Sequence, residues 1–148
     1  MIRSYTAADK ADVIRIFQQN TPTYFAVEEQ SDLERFLEVH AGNYWLIEQE
    51  GQLAGCGGIT FNADQTEGRI AWDFFSPNFQ GQGLGRQLTL HRLEQIKKVK
   101  TVNTIIVRTS QLAYRFYAKF GFITQEIKKD YWAPGLDLYA MAMPVKRK

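Results

Sequence analysis

The residues with the clearest chemical meaning form a glycine-rich loop, Gln80-Gly81-Gln82-Gly83-Leu84-Gly85-Arg86. The loop follows a predicted strand and opens a predicted helix, whose first turn has unpaired N–H groups and about half a positive charge. Its glycines carry no side chains that would keep a phosphate away from those N–H groups. Arg86 adds a fixed cation beside them. We therefore expect every residue of this loop to bind a phosphate-bearing ligand.

Three known phosphate-binding patterns compete for this loop. A Walker A loop requires Gly-Lys-Ser/Thr, and the loop contains no lysine. A dinucleotide fingerprint requires a third glycine at position 86, which is Arg86, and it normally follows the first strand of its unit rather than the fourth. The third pattern, Gln/Arg-x-x-Gly-x-Gly/Ala, is satisfied by Gln80, Gly83 and Gly85. A plain glycine-rich turn between a strand and a helix remains the alternative.

A second chemical feature is Asp73, which lies inside the apolar strand predicted over residues 69–75. Alternation along a strand places Ala71, Asp73 and Phe75 on one face. A carboxylate in such a place is costly unless it is paired or used, and partial burial would raise its pKa toward a value suited to a general base. Two interpretations of Asp73 stay open: a general base, for which Glu67 and Glu28 are weaker alternatives, or an acid bonded to a neighbouring strand or to Arg69.

The histidines and the cysteine do not form a metal site or a nucleophile. His40, His91 and Cys56 lie in three different predicted elements, so no metal site is expected. Cys56 is surrounded by glycines and has no nearby histidine to activate it, which indicates a small residue filling space in a strand.

The elements that position these groups follow from hydrophobic periodicity and turn residues. Four helices are predicted. The first covers 10–19, and the second begins at a capping box formed by Ser31 and Glu34. The third runs from the glycine loop to about residue 98, and the fourth contains Leu112, Phe116 and Phe120. Strands are predicted over 2–6, 44–49, 52–61, 69–75, 103–108, 122–129 and 136–143. This order of about seven strands and four helices predicts an α/β fold with one mixed sheet.

A further motif occupies the last predicted helix: Ala113-Tyr114-Arg115-Phe116-Tyr117-Ala118-Lys119-Phe120-Gly121-Phe122. It lies about 30 residues beyond Gln80-x-x-Gly83-x-Gly85. Nearly the whole chain resembles the GNAT superfamily of acyl-CoA-dependent N-acetyltransferases, both in the order and spacing of these two motifs and in the order of the predicted helices and strands. The resemblance implies that fold, with a splayed mixed sheet, and transfer of an acetyl group from acetyl-CoA to a primary amine by direct attack in a ternary complex. A non-catalytic acyl-CoA sensor or interaction module of the same fold is the alternative.

The resemblance also implies roles for particular residues. Tyr117 lies where the family motif has its general acid, and a phenol with a pKa of about 10 stays protonated at neutral pH; a core tyrosine is the alternative. Backbone N–H groups near Phe75 are implied as donors to the oxyanion of the reaction. Ser110 takes a position that is often asparagine in the family, and its hydroxyl retains a hydrogen bond to the cofactor.

The acceptor is expected to be a small-molecule or peptide amine. Two pairs of aromatic residues in predicted loops, Tyr24 with Phe25 and Tyr131 with Trp132, are candidates to bind it. Packing of these rings against the rim of the sheet is the alternative interpretation.

Composition sets the remaining expectations. The 148 residues predict a single domain over 1–148, acting as a monomer or homodimer. One cysteine, no apolar run of about 18 residues and no signal peptide favour the cytoplasm over a membrane. The basic tail over 145–148 is expected to be solvated rather than to bind nucleic acid.

The charges are unevenly divided along the chain. Residues 1–85 carry 5 basic and 12 acidic side chains, whereas residues 86–148 carry 13 basic and 4 acidic ones. This division leads us to expect an anionic cofactor beside the basic half and a cationic acceptor beside the acidic half.

Overall fold

A computed structural model describes residues 1–79 and 82–146. The described strands are β1 (Ile2–Ser4), β2 (Tyr44–Gln49), β3 (Gln52–Phe61), β4 (Glu67–Phe75), β5 (Thr104–Thr109), β6 (Ile123–Ala133) and β7 (Leu136–Pro144). The described α-helices are α1 (Lys10–Gln19), α2 (Gln30–Val39), α3 (Leu84–Lys97) and α4 (Tyr114–Ala118). The strands form one sheet in the order β1-β2-β3-β4-β5-β7-β6. Within the described ranges β4 and β5 are parallel and the other neighbouring pairs are antiparallel. The predicted mixed sheet is confirmed.

Helices cover both faces of this sheet. On α1 the apolar residues Val13, Ile16 and Phe17 recur at helical spacing and are buried together with residues of α2 against one face. On the other face, Leu93 and Ile96 of α3 pack against strand residues of β3, β4 and β5. The two layers enclose the end of β4, which is the part of the sheet that carries the candidate site.

Three local predictions differ from the structure. The capping box of Ser31 and Glu34 is not formed, because α2 begins at Gln30 and Ser31 therefore lies inside the helix. The Glu29 carboxylate instead accepts the Ala26 N–H at 2.8 Å. The last helix is a single short segment, Tyr114–Ala118. Tyr131 and Trp132 belong to β6 rather than to a loop, because a tight turn with Gly135 at φ +82° lets β6 pair with β7 as far as Ala133.

The parallel strands β4 and β5 separate along their length. They pair only over 67–70 of β4 and 104–107 of β5. Beyond that point β4 pairs with β3 alone and β5 pairs with β7 alone. The sheet is therefore splayed, as expected, and a slot opens between the ends of the two strands.

A β-bulge interrupts β4 beside this slot. Trp72 and Asp73 lie opposite the single residue Gly57 of β3, and the backbone of Trp72 is left-handed with φ +57°. Because the extra residue shifts the alternation, Ala71 pairs with Gly58 and faces α2, whereas Asp73 faces α3. The expectation that Ala71 and Asp73 share a face is therefore wrong.

Candidate active site

A cavity of about 660 Å³ occupies the slot between β4 and β5. Most of the residues expected at a ligand site border it: Tyr24, Phe25, Asp73, Phe75, Gln82, Gly83, Leu84, Gly85, Arg86, Ser110, Tyr117 and Trp132. Gln80 and Gly81, which were expected in the phosphate loop, lie outside the described residues. Tyr131 does not border the cavity; its hydroxyl accepts a hydrogen bond from Arg108 at 2.8 Å.

The start of α3 forms one end of the cavity. Gly83 has φ +75°, a conformation that side chains rarely adopt, and among the described residues the helical ladder begins with the Gln87 N–H donating to its carbonyl at 3.2 Å. A Cβ on Gly85 would meet Phe116 at 3.4 Å, an ordinary contact, so protein packing alone does not require glycine there. The open space in front of Gly83, where a Cβ would meet no atom within 4 Å, and the cation of Arg86 fit a pyrophosphate group.

Asp73 is paired with a residue that sequence analysis did not consider. Arg92 of α3 is fully buried, and its Nη2 donates to Asp73 Oδ2 at 2.9 Å. The Tyr117 hydroxyl donates to the same oxygen. The Arg92 guanidinium is also anchored to the Gly58 carbonyl at 3.3 Å. The partner of Asp73 is therefore not Arg69, and the three side chains form a connected polar group inside an apolar layer.

The environment of this group decides its protonation. The pKa of Tyr117 is raised well above its usual value by burial and by the negative charge of Asp73, with Arg92 acting in the opposite direction. Tyr117 is 5% exposed and holds its proton at neutral pH. Burial is the largest single influence on Arg92 and acts to lower its pKa, but the charge and hydrogen bond of Asp73 together with Tyr117 and Tyr44 outweigh it, so the pKa is raised. Asp73 Oδ1 accepts no hydrogen bond from the described residues, and the side chain keeps 14% exposure beside the cavity.

Neighbouring residues fix Asp73 in this position. The buried Tyr44 donates from its hydroxyl to the Trp72 carbonyl at 2.7 Å, which holds the bulge. A Cβ on Gly57 would lie 2.9 Å from Arg92 Cζ and 3.0 Å from Asp73 Cβ. Glycine at position 57 therefore leaves the space through which Arg92 reaches Asp73.

The end of β4 supplies a backbone donor to the slot. The Ser76 N–H donates to the Ala54 carbonyl of β3 at 2.8 Å. Adjacent residues of a strand direct their backbone groups to opposite sides, so the N–H and carbonyl of Phe75 point away from β3. The Phe75 carbonyl accordingly accepts a hydrogen bond from Asn20 Nδ2 at 3.0 Å, and the N–H is directed toward the slot.

The aromatic residues expected at the acceptor end have mixed surroundings. Phe25 stacks on Trp72 with ring centroids 6.1 Å apart and so packs as well as borders the cavity. Trp132 donates from Nε1 to the Thr109 carbonyl at 3.1 Å. Tyr24 is 42% exposed.

Sequence reasoning gave no ligand-binding role to Arg69 and Arg108, which border the cavity, and did not consider Arg92, which is buried and bonds Asp73. Arg92 follows Leu88 and precedes Ile96 at intervals of four residues, so helical periodicity already placed it on the buried stripe of α3. Arg69 and Arg108 lie in β4 and β5, and no motif marks them. Of the charged residues that border the cavity, Glu29 and Asp73 come from the acidic half of the chain and Arg86 and Arg108 from the basic half, and Arg69 is the exception.

Two general features of the described residues complete the site. No three His, Cys, Asp or Glu side chains in the described residues lie close enough together to hold a metal ion. Among the helices of this part of the chain, none has the length and apolar character needed to cross a membrane.

Comparisons with known proteins agree with the motifs. The uncharacterized N-acetyltransferase YjgM of Escherichia coli (strain K12) is 24% identical over 135 residues, covering 82% of this chain and 81% of that protein. The structure of Ard1 from Thermoplasma volcanium has a TM-score of 0.84 at 21% identity and covers 99% of this chain and 98% of its own. The structure of yncA from Salmonella typhimurium, solved with its cofactor acetyl-CoA, has a TM-score of 0.80 at 16% identity, covering 100% and 95% of the two chains.

These structural neighbours share the fold of this chain over almost their whole length. Residues 11–122, well over half of the chain, match the sequence profile described as the Acetyltransferase (GNAT) family. The matched range includes the start of α3, the bulged strand β4 and the helix that carries Tyr117. The chain therefore belongs to the GNAT acetyltransferase family.

Proposed function

We propose that this enzyme transfers an acetyl group from acetyl-CoA to a primary amine, with the donor and the acceptor bound in the cavity at the same time. The observation that carries the proposal is the hydrogen-bonded group of Arg92, Asp73 and Tyr117, which lies beside the slot between β4 and β5. A buried acid and a buried carboxylate in contact at a cavity are suited to moving protons in a reaction.

The residues proposed to hold the donor lie at the start of α3 and at the ends of β4 and β5. When bound, acetyl-CoA supplies the acetyl group as an activated thioester. Gln82, Gly83, Leu84, Gly85 and Arg86 receive the pyrophosphate through backbone N–H groups and one cation, and we extend this role to Gln80 and Gly81. The Ser110 hydroxyl already accepts the Leu112 N–H at 3.2 Å, and its own hydrogen is available to the donor.

Polarisation of the reacting carbonyl is assigned to the backbone N–H of Phe75. Donors that are fixed in place before the reaction stabilise developing negative charge without reorganisation. Phe75 is held by the β3 pairing of its neighbour Ser76 and by the hydrogen bond of its carbonyl to Asn20.

Proton movement is assigned to Asp73 and Tyr117. Asp73 Oδ1 takes a proton from the ammonium form of the acceptor, which gives the nitrogen the lone pair it needs. Protonation removes the negative charge of Asp73 and weakens its hold on the Tyr117 hydrogen. The Tyr117 hydroxyl then gives its proton to the departing sulfur and recovers a proton from Asp73. The C–N bond forms as the C–S bond breaks, and the pair passes one proton from the amine to the departing thiol. The second proton of the attacking nitrogen leaves to solvent, so that an ammonium and acetyl-CoA yield an acetamide, the CoA thiol and one H⁺.

The experiment mixes the protein with acetyl-CoA and each member of a panel of primary amines: polyamines, amino acids, aminoglycosides and short peptides. Free thiol is measured with a thiol-reactive dye, and the acetylated amine is measured by mass spectrometry. The proposal predicts equal amounts of the two products and no thiol release without an amine. If acetyl-CoA raises the melting temperature but no amine releases thiol, the protein is a binding module and the proposal is wrong.

A further inference from the structure

Two arginines border the part of the cavity that faces α1 and α2. In the parallel register Arg69 of β4 lies beside Ile106 of β5, and Arg108 is the next residue of β5 on the same face. Both side chains border the cavity. Phe25 and Trp132, expected at the acceptor end, border the same cavity.

Neither guanidinium has an acidic partner in the described residues. Arg3, Arg15, Arg35 and Arg92 each approach a carboxylate within 3.5 Å. For Arg69 and Arg108, by contrast, no carboxylate of the described chain lies within 4.0 Å.

The few contacts of these two arginines leave their donors available. Arg108 makes one hydrogen bond, to the Tyr131 hydroxyl at 2.8 Å, and its Cζ lies 5.1 and 5.7 Å from the rings of Tyr131 and Trp132. A guanidinium has five N–H donors, so most of those of Arg108 are unused. The Arg69 guanidinium donates no hydrogen bond within the described chain.

Keeping these two cations together is unfavourable for the protein alone. Burial lowers the pKa of Arg69, the positive charge of Arg108 lowers it further, and Glu67 acts in the opposite direction. Two partly buried like charges without a counter-ion destabilise the fold unless a ligand supplies the negative charge. The aromatic rings beside Arg108 fix the plane of its guanidinium, which suits paired hydrogen bonds to a carboxylate.

We propose that the acceptor amine carries a carboxylate group, which Arg69 and Arg108 bind and thereby select the substrate. This inference rests on the proposed function. The acidic side chains Asp73 and Glu29 border the same cavity. The cavity therefore offers negative groups for an ammonium and positive groups for a carboxylate, which matches an amino acid or an acidic peptide.

The first test compares amines that differ only in the carboxylate. L-Phenylalanine, L-leucine and L-lysine are each assayed beside the amine formed by their decarboxylation. We expect the carboxylate-bearing member to have the higher kcat/KM by about 10- to 100-fold in the pairs that are acetylated, as charge-assisted hydrogen bonds provide. Equal or higher kcat/KM for the decarboxylated amines in every acetylated pair excludes the α-carboxylate as the group bound, and it overturns the proposal unless peptide amides show a preference for a side-chain carboxylate.

Peptide amides distinguish the two sources of the carboxylate. Glu-Ala amide and Gln-Ala amide carry the same amine, and only the first has a side-chain carboxylate. A preference for free amino acids over their amides identifies the α-carboxylate as the group bound, whereas a preference for Glu-Ala amide over Gln-Ala amide identifies an acidic peptide. The absence of both preferences contradicts the proposal.

Variants assign the preference to the two arginines. Arg69→Met and Arg108→Met should each reduce the preference by about 10-fold or more, while kcat/KM for the decarboxylated amine and KM for acetyl-CoA stay near wild type. The same change at the exposed Arg15 of α1 is the matched control and should leave the preference intact. Retention of the preference in both cavity variants overturns the assignment.

Binding and stability measurements separate recognition from a structural role. Calorimetric titration of the protein saturated with free CoA should show amino-acid binding that weakens about 10-fold or more in either cavity variant. Arg69→Met should not melt at a lower temperature than wild type, because it removes an unpaired like charge and no side-chain hydrogen bond. A lower melting temperature with equal loss of activity toward both kinds of amine would indicate a structural role. If no amine of any kind is acetylated, the proposed function itself fails, whereas acetylation without a carboxylate preference refutes only this inference.

Discussion

The ion pair between Arg92 and Asp73 predicts a large and specific loss of stability when either partner is removed. Arg92 is 0% exposed and Asp73 is 14% exposed, so either group left alone remains a poorly solvated charge. Breaking a buried pair of this kind costs about 3–5 kcal/mol, against a total stability of about 5–15 kcal/mol for a domain. Arg92→Met and Asp73→Asn should each destabilise by that amount.

The double variant makes the test sharper. With both charges absent, the loss of unfolding free energy should be smaller than the sum of the two single losses. The difference should be on the order of 3–5 kcal/mol, which is the cost of leaving one ion buried without its partner. Urea unfolding followed by tryptophan fluorescence measures each free energy of unfolding, provided that the m-value stays constant. Arg35→Met, at an exposed arginine of α2, is the control and should unfold at nearly the same urea concentration as wild type. Single losses under about 1 kcal/mol, or losses that add, would refute the reasoning.

Three further predictions concern the surroundings of the site and the surface. Gly57→Ala should lower the free energy of unfolding by about 1–3 kcal/mol and lower activity, because its Cβ would lie 2.9 Å from Arg92 Cζ. Gly42→Ala is the control and should change neither, because a Cβ there meets no atom within 4 Å. Equal free energies of unfolding for the two variants would contradict this prediction. Tyr44→Phe should cost about 1–3 kcal/mol in urea unfolding, because the Trp72 carbonyl loses its side-chain donor, and an unchanged free energy of unfolding would show that the bond does not hold the bulge. Hydrogen bonds from Arg3 lower the pKa of Asp9 to about 2, below the usual value of about 3.9, so the stability that this carboxylate adds at neutral pH is lost as the pH falls from about 4 toward 2. In acid titrations of unfolding, Asp9→Asn should reduce that loss, and an identical acid transition would be evidence against it.

Local patterns in the sequence were sufficient to predict most elements. Strands β2 and β3 have the predicted bounds because apolar alternation continues up to a turn at Glu50 and Gly51, which both have positive φ. The glycine loop and the motif that contains Tyr117 carried the family resemblance, and that resemblance implied the splayed sheet whose slot the structure shows. The left-handed Gly121 after α4, with φ +107°, was also predictable from residue type alone.

Contacts between distant elements were not predictable in this way. The bulge at Trp72 depends on the Tyr44 hydroxyl and on the register with β3. The two-residue alternation of apolar side chains along a strand contains no information about either. The partner of Asp73 lies on a helix 19 residues away. A charged residue on the buried stripe of α3 was a signal that a buried acid must lie opposite, and Asp73 was the charge inside an apolar strand. The pair could thus have been proposed by matching two buried charges of opposite sign.

The most direct test of the account is the turnover number of Tyr117→Phe. The phenyl ring preserves the packing of α4 and removes only the hydroxyl that donates to Asp73. With an amine that the wild type acetylates, kcat should fall by about 10²- to 10⁴-fold, while KM for acetyl-CoA changes little. Tyr114→Phe, one turn away on α4 and outside the cavity lining, should keep the wild-type kcat. A kcat for Tyr117→Phe equal to that of the wild type would contradict the claim that Tyr117 and Asp73 move the proton.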